Sequence, residues 1–462
     1  MRDLLVMVLV MLALPLTLRR PFVGLLVFSW LAYMRPQDLC WGFARNLRLS
    51  LFVAVLMILG WWVNEQGVRR FARWDFRSFA MTALAGMVAI SYAFAQRQDA
   101  YTNSYFIEYL KIIAIALFTT AQVDSKQRLR VILWTIALSL GFFGVKNGVF
   151  GILRGGGQIT RGPGGMLEDN NDFALAMVMN VPLLWYLGIA EGKLWIRRAT
   201  LVAMFLTVVV VLLTHSRGAF LALCMSGLWI AWRSGKLVRA MLVLGALAAL
   251  FPFVAPEAVL ERLSTIGDTK ESSANARLTA WATAMRMIAD NPGLGVGMRN
   301  FQSRFLDYSD EPARVGHTYV AHNSYLQIWA ESGTPAFVCY LLLLGSVFFA
   351  CRHVMRLAAN RPDLAWAGIY ARMMETTNVG FMVGAFFLNR GHFDLVYHWL
   401  SLVTALSLVA KAAYARAPEA VAGERERARG PRRITVRHGA RQRDRELGPS
   451  AAALAHAAPR WR

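Results

Sequence analysis

The chain has 462 residues, 56% of them hydrophobic, and 50 lysines and arginines against 28 acids give a formal net charge of +22. Apolar residues average about 45–50% in a soluble domain; here the excess gathers in long uncharged blocks such as Leu201–Leu213, Met241–Val254 and Thr334–Ala350. A dozen such blocks in series leave too little polar surface for a soluble enzyme, and the cations fall in the connections between blocks, which argues against nucleic-acid binding.

A bilayer core needs about 20 mostly apolar residues per helix. In chain order the candidate spans are Leu4–Leu18, Phe22–Met34, Leu49–Val63, Phe79–Ala95, Tyr105–Ala121, Val131–Val145 and Phe173–Ala190. Leu201–Leu213, Ala219–Trp232, Met241–Val254, Thr334–Ala350, Val379–Leu388 and Leu395–Ala410 follow. The first two are short and separated only by Arg19-Arg20-Pro21, so they form either a tight hairpin or one irregular element. The expected fold is an all-α polytopic membrane protein with about 12 transmembrane helices and one large, partly helical periplasmic loop. Leu4–Leu18 lacks a small-residue cleavage site and runs into a second apolar block, so a span is expected there and not a cleaved signal peptide.

Arg69, Arg70, Arg73 and Arg77 share one connection, Lys126, Arg128 and Arg130 another, and Lys193, Arg197 and Arg198 a third. Arg233, Lys236 and Arg239 follow, then Arg352, Arg356 and Arg361. The positive-inside rule places these connections in the cytoplasm. Alternation then puts the Asn147–Asn171 loop, the short His215–Arg217 turn and the Ala255–Gly333 stretch outside. Thirteen spans would put the N-terminus outside, twelve inside.

The predicted membrane domain covers residues 1–411, including the periplasmic loop 255–333. From 412 to 462 the composition turns to Arg, Glu, Ala, Gly and Pro, a basic cytoplasmic tail that cannot bury a core and is expected to be disordered. Inside the outer loop, Ser272-Ser273 precedes a helix from about Asn275 to Asp290, stopped by Asn291-Pro292-Gly293. At 100° per residue Arg277, Trp281, Ala284 and Ile288 form one stripe, with Arg286 opposite. A second helix is predicted near His322, with Leu326 and Trp329 on the same face.

The phosphate-loop, His-Glu-x-x-His and Gly-x-Ser-x-Gly patterns are missing. Polar residues at the outer membrane edge remain as carriers of chemistry. Arg217 lies in Thr214-His215-Ser216-Arg217-Gly218, wedged between two apolar spans. It is either an interfacial anchor that snorkels or a phosphate ligand. Arg277 occupies the apolar stripe of its helix, where a surface arginine is out of place; its planar fork suits a diphosphate. His322, where the loop re-enters the membrane, is either a satisfied core histidine or a general base at neutral pH. Arg161 begins a glycine-rich stretch that leads to Glu168-Asp169-Asn170-Asn171-Asp172, where Asn171 or Asp172 is expected to cap the next helix. His317 and His322 lack a third ligand at metal spacing, and the four cysteines show no metal or disulfide pattern, so no metal or cofactor is expected.

Met1-Arg2-Asp3-Leu4-Leu5, Arg35-Pro36, Trp41-Gly42-Phe43-Ala44, Gly155–Gly165 with Asp169-Asn170-Asn171, Ser216-Arg217-Gly218, Arg277 with Trp281, and His322-Asn323-Ser324-Tyr325-Leu326 resemble, in that order, the O-antigen ligase superfamily. That superfamily includes O-antigen ligases, O-antigen polymerases and bacterial O-oligosaccharyltransferases. The chain is most similar to the O-glycosylation ligases associated with exosortase A systems. The resemblance spans most of Met1–Lys411 and excludes the tail. It implies inverting, metal-independent transfer of a glycan from undecaprenyl diphosphate to an acceptor hydroxyl at the periplasmic face of the bacterial inner membrane. Arg217 and Arg277 would bind the diphosphate and His322 would take the acceptor's proton, with Arg161, Arg299 and Asn323 in supporting places. Lipid A core, a protein hydroxyl and a growing glycan are all open as acceptors.

The close rival is a polymerase using the same donor. A transporter of lipid-linked glycan or a small molecule is the rival from another class. It would bring discontinuous helices and charges at mid-membrane depth, for which Glu108 and Lys111 are the only candidates.

Overall fold

The computed structural model describes residues 2–64, 70–95, 97–238, 241–242, 272–309 and 318–428. It divides into a unit Met1–Tyr414 and a unit Ala415–Arg462. Among the described residues there is no strand, and one isolated bridge joins Arg161 to Asp169. The helices are α1 (Arg2–Arg19), α2 (Pro21–Tyr33), α3 (Leu49–Asn64), α4 (Phe76–Ala93), α5 (Ala100–Gln122), α6 (Lys126–Leu153) and α7 (Asn170–Ala190). They continue with α8 (Leu194–Leu213), α9 (Arg217–Arg233), α10 (Ser272–Asp290), α11 (Phe305–Tyr308), α12 (Ser324–Ala358), α13 (Ala365–Ala385) and α14 (Asp394–Ala428).

Seven of these are long and apolar enough to cross a membrane: α4, α5, α6, α7, α8, α12 and α14 as far as Arg416. The sequence predicts about twelve, and the difference has local causes. Helices α2 and α3 are apolar but have 13 and 16 residues; α1 holds Arg2, Asp3 and Arg19; α13 holds Arg372 and Glu375. The predicted span Met241–Val254 lies outside the described residues beyond its first two, and Arg69, Arg239 and His317 lie outside them altogether. The chain is an all-α, multi-pass membrane protein.

Capping side chains set several helix starts: Asp75 accepts from Ser78 N, Asp99 from Thr102 N in a capping box, and Ser125 from Arg128 N. Arg19-Arg20-Pro21 resolves as a tight hairpin, because Pro21 opens α2 where its missing N–H costs nothing. Helices α7 and α14 are the most enclosed of the spans. Phe173, Leu175, Met177, Tyr397, Trp399 and Leu400 contribute to one continuous core.

Two expected boundaries are corrected. The helix read as Val379–Leu388 begins at Ala365, because fully buried Glu375 is paired within the bundle with Arg233 at 2.7 Å. The helix predicted near His322 and the span Thr334–Ala350 are one element, α12, bent at Gly333 (φ 81°, ψ 174°). A Cβ at Gly333 would lie 2.1 Å from the Gly293 carbonyl oxygen, so only glycine fits there. The 292–297 loop grips the bend from outside: Val296 and Gly297 N–H donate to the Ala330 and Glu331 carbonyls (both 2.9 Å), and Thr334 N–H donates to Pro292 O (2.8 Å). Helix α14 continues past the composition change at Ala412 as far as Ala428.

Candidate functional site

The turn between α8 and α9 holds the first group. His215 adopts a left-handed backbone (φ 54°), Ser216 caps α9 by accepting from Ala219 N, and Arg217 becomes the first, exposed residue of that helix. Gly218 permits close approach to the segment just after α13, since a Cβ there would lie 2.6 Å from Phe387 Cβ. Asn170 at the start of α7 donates to Thr214 O (3.0 Å), fastening the turn to the neighbouring helix end.

Helix α10 supplies Arg277. Ala280, Ala284, Met287 and Ile288 bury against Val296, Phe301, Phe305, Ala321 and Ala330. Trp281 donates its indole N–H to Ala321 O (3.0 Å) and meets Phe386 edge-on at 5.4 Å. Arg277, one turn before Trp281, is half-buried on the same side. Arg286, expected on the opposite face, donates to Tyr308 O (2.7 Å).

His322 lies outside α12, between buried Ala321 and the cap. Asn323 Oδ1 accepts from Tyr325 N (3.0 Å) and Leu326 N (3.1 Å). Ser324 Oγ donates to Leu388 O (2.7 Å) and accepts from Arg390 N (2.8 Å). These bonds hold His322 in the left-handed region (φ 44°), a conformation a non-glycine residue keeps only when its surroundings enforce it.

The electrostatics tie the three groups together. Burial and then the positive charge of Arg217 lower the Arg277 pKa. Burial, then Arg277, hold His322 below the ordinary value of 6.5, and Asp169 opposes them. Arg217, Arg277, His322 and Asp169 therefore share one field, although the sequence spreads them over more than 150 residues.

Asp169, not Asn171 or Asp172, caps α7: its Oδ1 accepts from Asn171 N (2.8 Å). Asp172 instead turns inward and pairs with the Arg390 guanidinium. Of the supporting residues, Arg161 is exposed and meets Asp169 through backbone bridging, Asn323 acts as the α12 cap, and Arg299 (φ 62°) stacks over the Tyr105 ring at 3.8 Å. Arg35 pairs with Asp38 (2.5 Å) and lies against Gly164 and Gly165. Arg390 and His392 went unpredicted. The signal was present, because Asn389-Arg390-Gly391-His392-Phe393-Asp394 is another short polar connection between apolar blocks. Glu108 and Lys111 pair with each other at 2.7 Å, both half-exposed. Among the described residues no group of three or more His, Cys, Asp or Glu side chains could hold a metal ion.

Apolar helices whose ends bring two arginines and a histidine into one field define a membrane protein with a cationic cluster at its helix ends. The family comparison is narrower. Residues 202–341 match the O-antigen ligase family model, which supports the O-antigen ligase superfamily for this chain, and residues 1–192 match a family of unknown function. The first match takes in Arg217, Arg277 and His322 and stops before the 389–394 connection. No curated protein matches the chain. The family points to glycan transfer in the membrane by a glycosyltransferase-like enzyme.

Proposed function

We propose that the protein transfers a glycan from undecaprenyl diphosphate to an acceptor hydroxyl, with inversion, at the periplasmic face of the bacterial inner membrane. The observation that carries this reading is that half-buried Arg277 stands within electrostatic reach of both Arg217 and His322. Two like charges held together, one of them half-buried, call for a multiply charged anion, and a lipid diphosphate at the membrane edge meets that need. The orientation is supported by the opposite helix ends, where Arg130, Arg233 and Arg352 gather, as cytoplasmic connections require. Lipid A core, a protein hydroxyl and a growing glycan are all acceptors consistent with this site.

In the mechanism, the acceptor oxygen attacks the anomeric carbon while the bond from that carbon to the diphosphate oxygen breaks. The electron pair leaves with the diphosphate, whose added charge Arg217 and Arg277 stabilise. The acceptor proton passes to His322, which its lowered pKa keeps neutral at pH 7 and thus able to accept it. Cationic side chains supply the electrophilic assistance, so no step calls on a metal ion. The donor arrives activated, and no nucleotide is needed.

The test uses purified full-length protein with undecaprenyl-diphosphate glycan and EDTA, offering lipid A core and a peptide acceptor separately. Transfer to either acceptor is the expected result and names the substrate. Chain extension of the donor alone would make the protein a polymerase. No turnover with any acceptor would sink the transferase reading and bring back transport.

A further inference from the structure

A cavity of about 30 Å³ lies where α5, the Met298-Arg299 segment, the first turn of α12 and the 389–394 connection meet. Arg299, Gln327, Asn389, Arg390 and His392 line it, and Tyr105, Tyr109, Ile112 and two methionines complete the wall. It is joined to the proposed catalytic group through the first turn of α7: Asp169 acts on His322, and Asp172, three residues on, holds Arg390.

Its polar atoms are unusual. Gln327 is 2% exposed, and its Nε2 donates to Glu331 Oε2 (3.3 Å), which fixes the amide orientation. Gln327 Oε1 then has no hydrogen-bond partner, nor do Asn389 Oδ1 and His392 Nε2. A buried carbonyl oxygen without a donor costs about 1–3 kcal/mol, so the cavity calls for a ligand that supplies donors. The same walls carry two guanidiniums, Arg390 paired with Asp172 and Arg299 over Tyr105, whose remaining N–H groups can donate. Burial and Arg299 push the His392 pKa down to about 3, so the ring is neutral.

An inorganic anion or a carboxylate would suit Arg299 and Arg390 but would face two amide oxygens, with the Asp172 carboxylate already on Arg390. A cation would meet two guanidiniums. A hydroxyl both donates and accepts, and so satisfies both sets of atoms. By this measure of volume one water needs roughly 10–15 Å³, so the space admits about two hydroxyl-sized groups: the edge of a sugar ring. Met166 and Met298 give its C–H face an apolar wall.

We propose that this cavity is a saccharide subsite, in which Gln327, Asn389, Arg299 and Arg390 bind adjacent hydroxyls of a glycan beyond the reacting bond. It rests on the transferase reading for its occupant, and the shared chemistry is a sugar diol from either the donor glycan or the acceptor.

The experiment is saturation-transfer NMR on the full-length protein in detergent. Three probes are offered separately: glycan released by mild acid from the lipid-linked pool of the producing cells, delipidated acceptor core oligosaccharide, and sugar-free undecaprenyl diphosphate. Gln327→Met and Asn389→Leu, the second in case the buried site resists folding, should weaken one of the two glycan probes by about five- to tenfold. Undecaprenyl diphosphate binding should stay as in wild type. Weakening of the released glycan assigns the site to the donor; weakening of the core oligosaccharide assigns it to the acceptor. Glycan binding unchanged by both variants overturns the proposal and leaves a hydrated cavity. Equal loss of all three probes overturns it too, making the residues structural. Wild-type protein that binds undecaprenyl diphosphate but neither glycan overturns the subsite alone, whereas binding of none of the three overturns the transferase reading with it.

Discussion

Two sets of arginines in the helix bundle are placed in opposite ways. At the end away from His322, two arginines are answered by carboxylates: Arg130 binds both carboxylate oxygens of Glu191, to which Trp134 also donates at 2.8 Å, and Arg233 holds the fully buried Glu375 at 2.7 Å. At the other end Arg277 has Arg217 as an electrostatic neighbour, and the charge of one lowers the pKa of the other. A bound ion pair is a finished interaction, worth little beyond holding helices in place. Two cations within electrostatic reach repel each other, and a bound anion would relieve that repulsion. The contrast separates scaffolding arginines from those proposed to handle substrate.

The comparison can be broken most directly at His322. His322→Ala should lower transfer by about 10²–10⁴-fold while membrane insertion and detergent melting temperature stay close to wild type; normal transfer would remove the proposed base. Next come Arg217→Lys and Arg277→Lys, each of which keeps the charge but loses the planar fork. We expect roughly 10- to 100-fold lower kcat/KM in steady-state assays, and unchanged kinetics would make these arginines interfacial anchors. At the opposite end Arg233→Met should act on stability alone. Leaving Glu375 buried costs toward the lower end of about 3–5 kcal/mol, because Arg352 still stands 4.0 Å away. Thermal unfolding would show that loss, with normal transfer per folded molecule.

The smallest effect belongs to Asp169. Because His322 lies below 6.5, transfer should be level near neutral pH and fall only as acid protonates the base. Asp169→Asn keeps the α7 cap, since asparagine caps as well as aspartate. It removes the one influence that raises the His322 pKa, so the acid limb of kcat/KM should move to lower pH. A limb that stays put would show that another group titrates.

The apolar blocks were legible because a membrane-facing helix must show its composition locally. Arg217, Arg277 and His322 were legible because cations and a histidine at the edge of an apolar block have few ordinary uses there. What stayed hidden depended on distant partners. Glu375 made the start of α13 look unfit for a membrane, and Arg233, 142 residues away, with Arg352 at 4.0 Å, explains its burial. The choice of Asp169 as cap follows from where Asp172 points, and that is set by Arg390, 218 residues further on. The four proposed subsite residues come from three separate segments, so no local pattern announces them.

The bend at Gly333 has a consequence for genetics. That residue touches no proposed substrate atom, yet every side chain there collides with the Gly293 carbonyl, and the segment it sets at an angle begins beside His322. A saturation scan selected on cell-surface glycan should therefore accept glycine alone at position 333 and rank it beside His322. Selection data alone would enrol it among the reactive residues, and a folding readout run in parallel would tell a structural pivot from a chemical one.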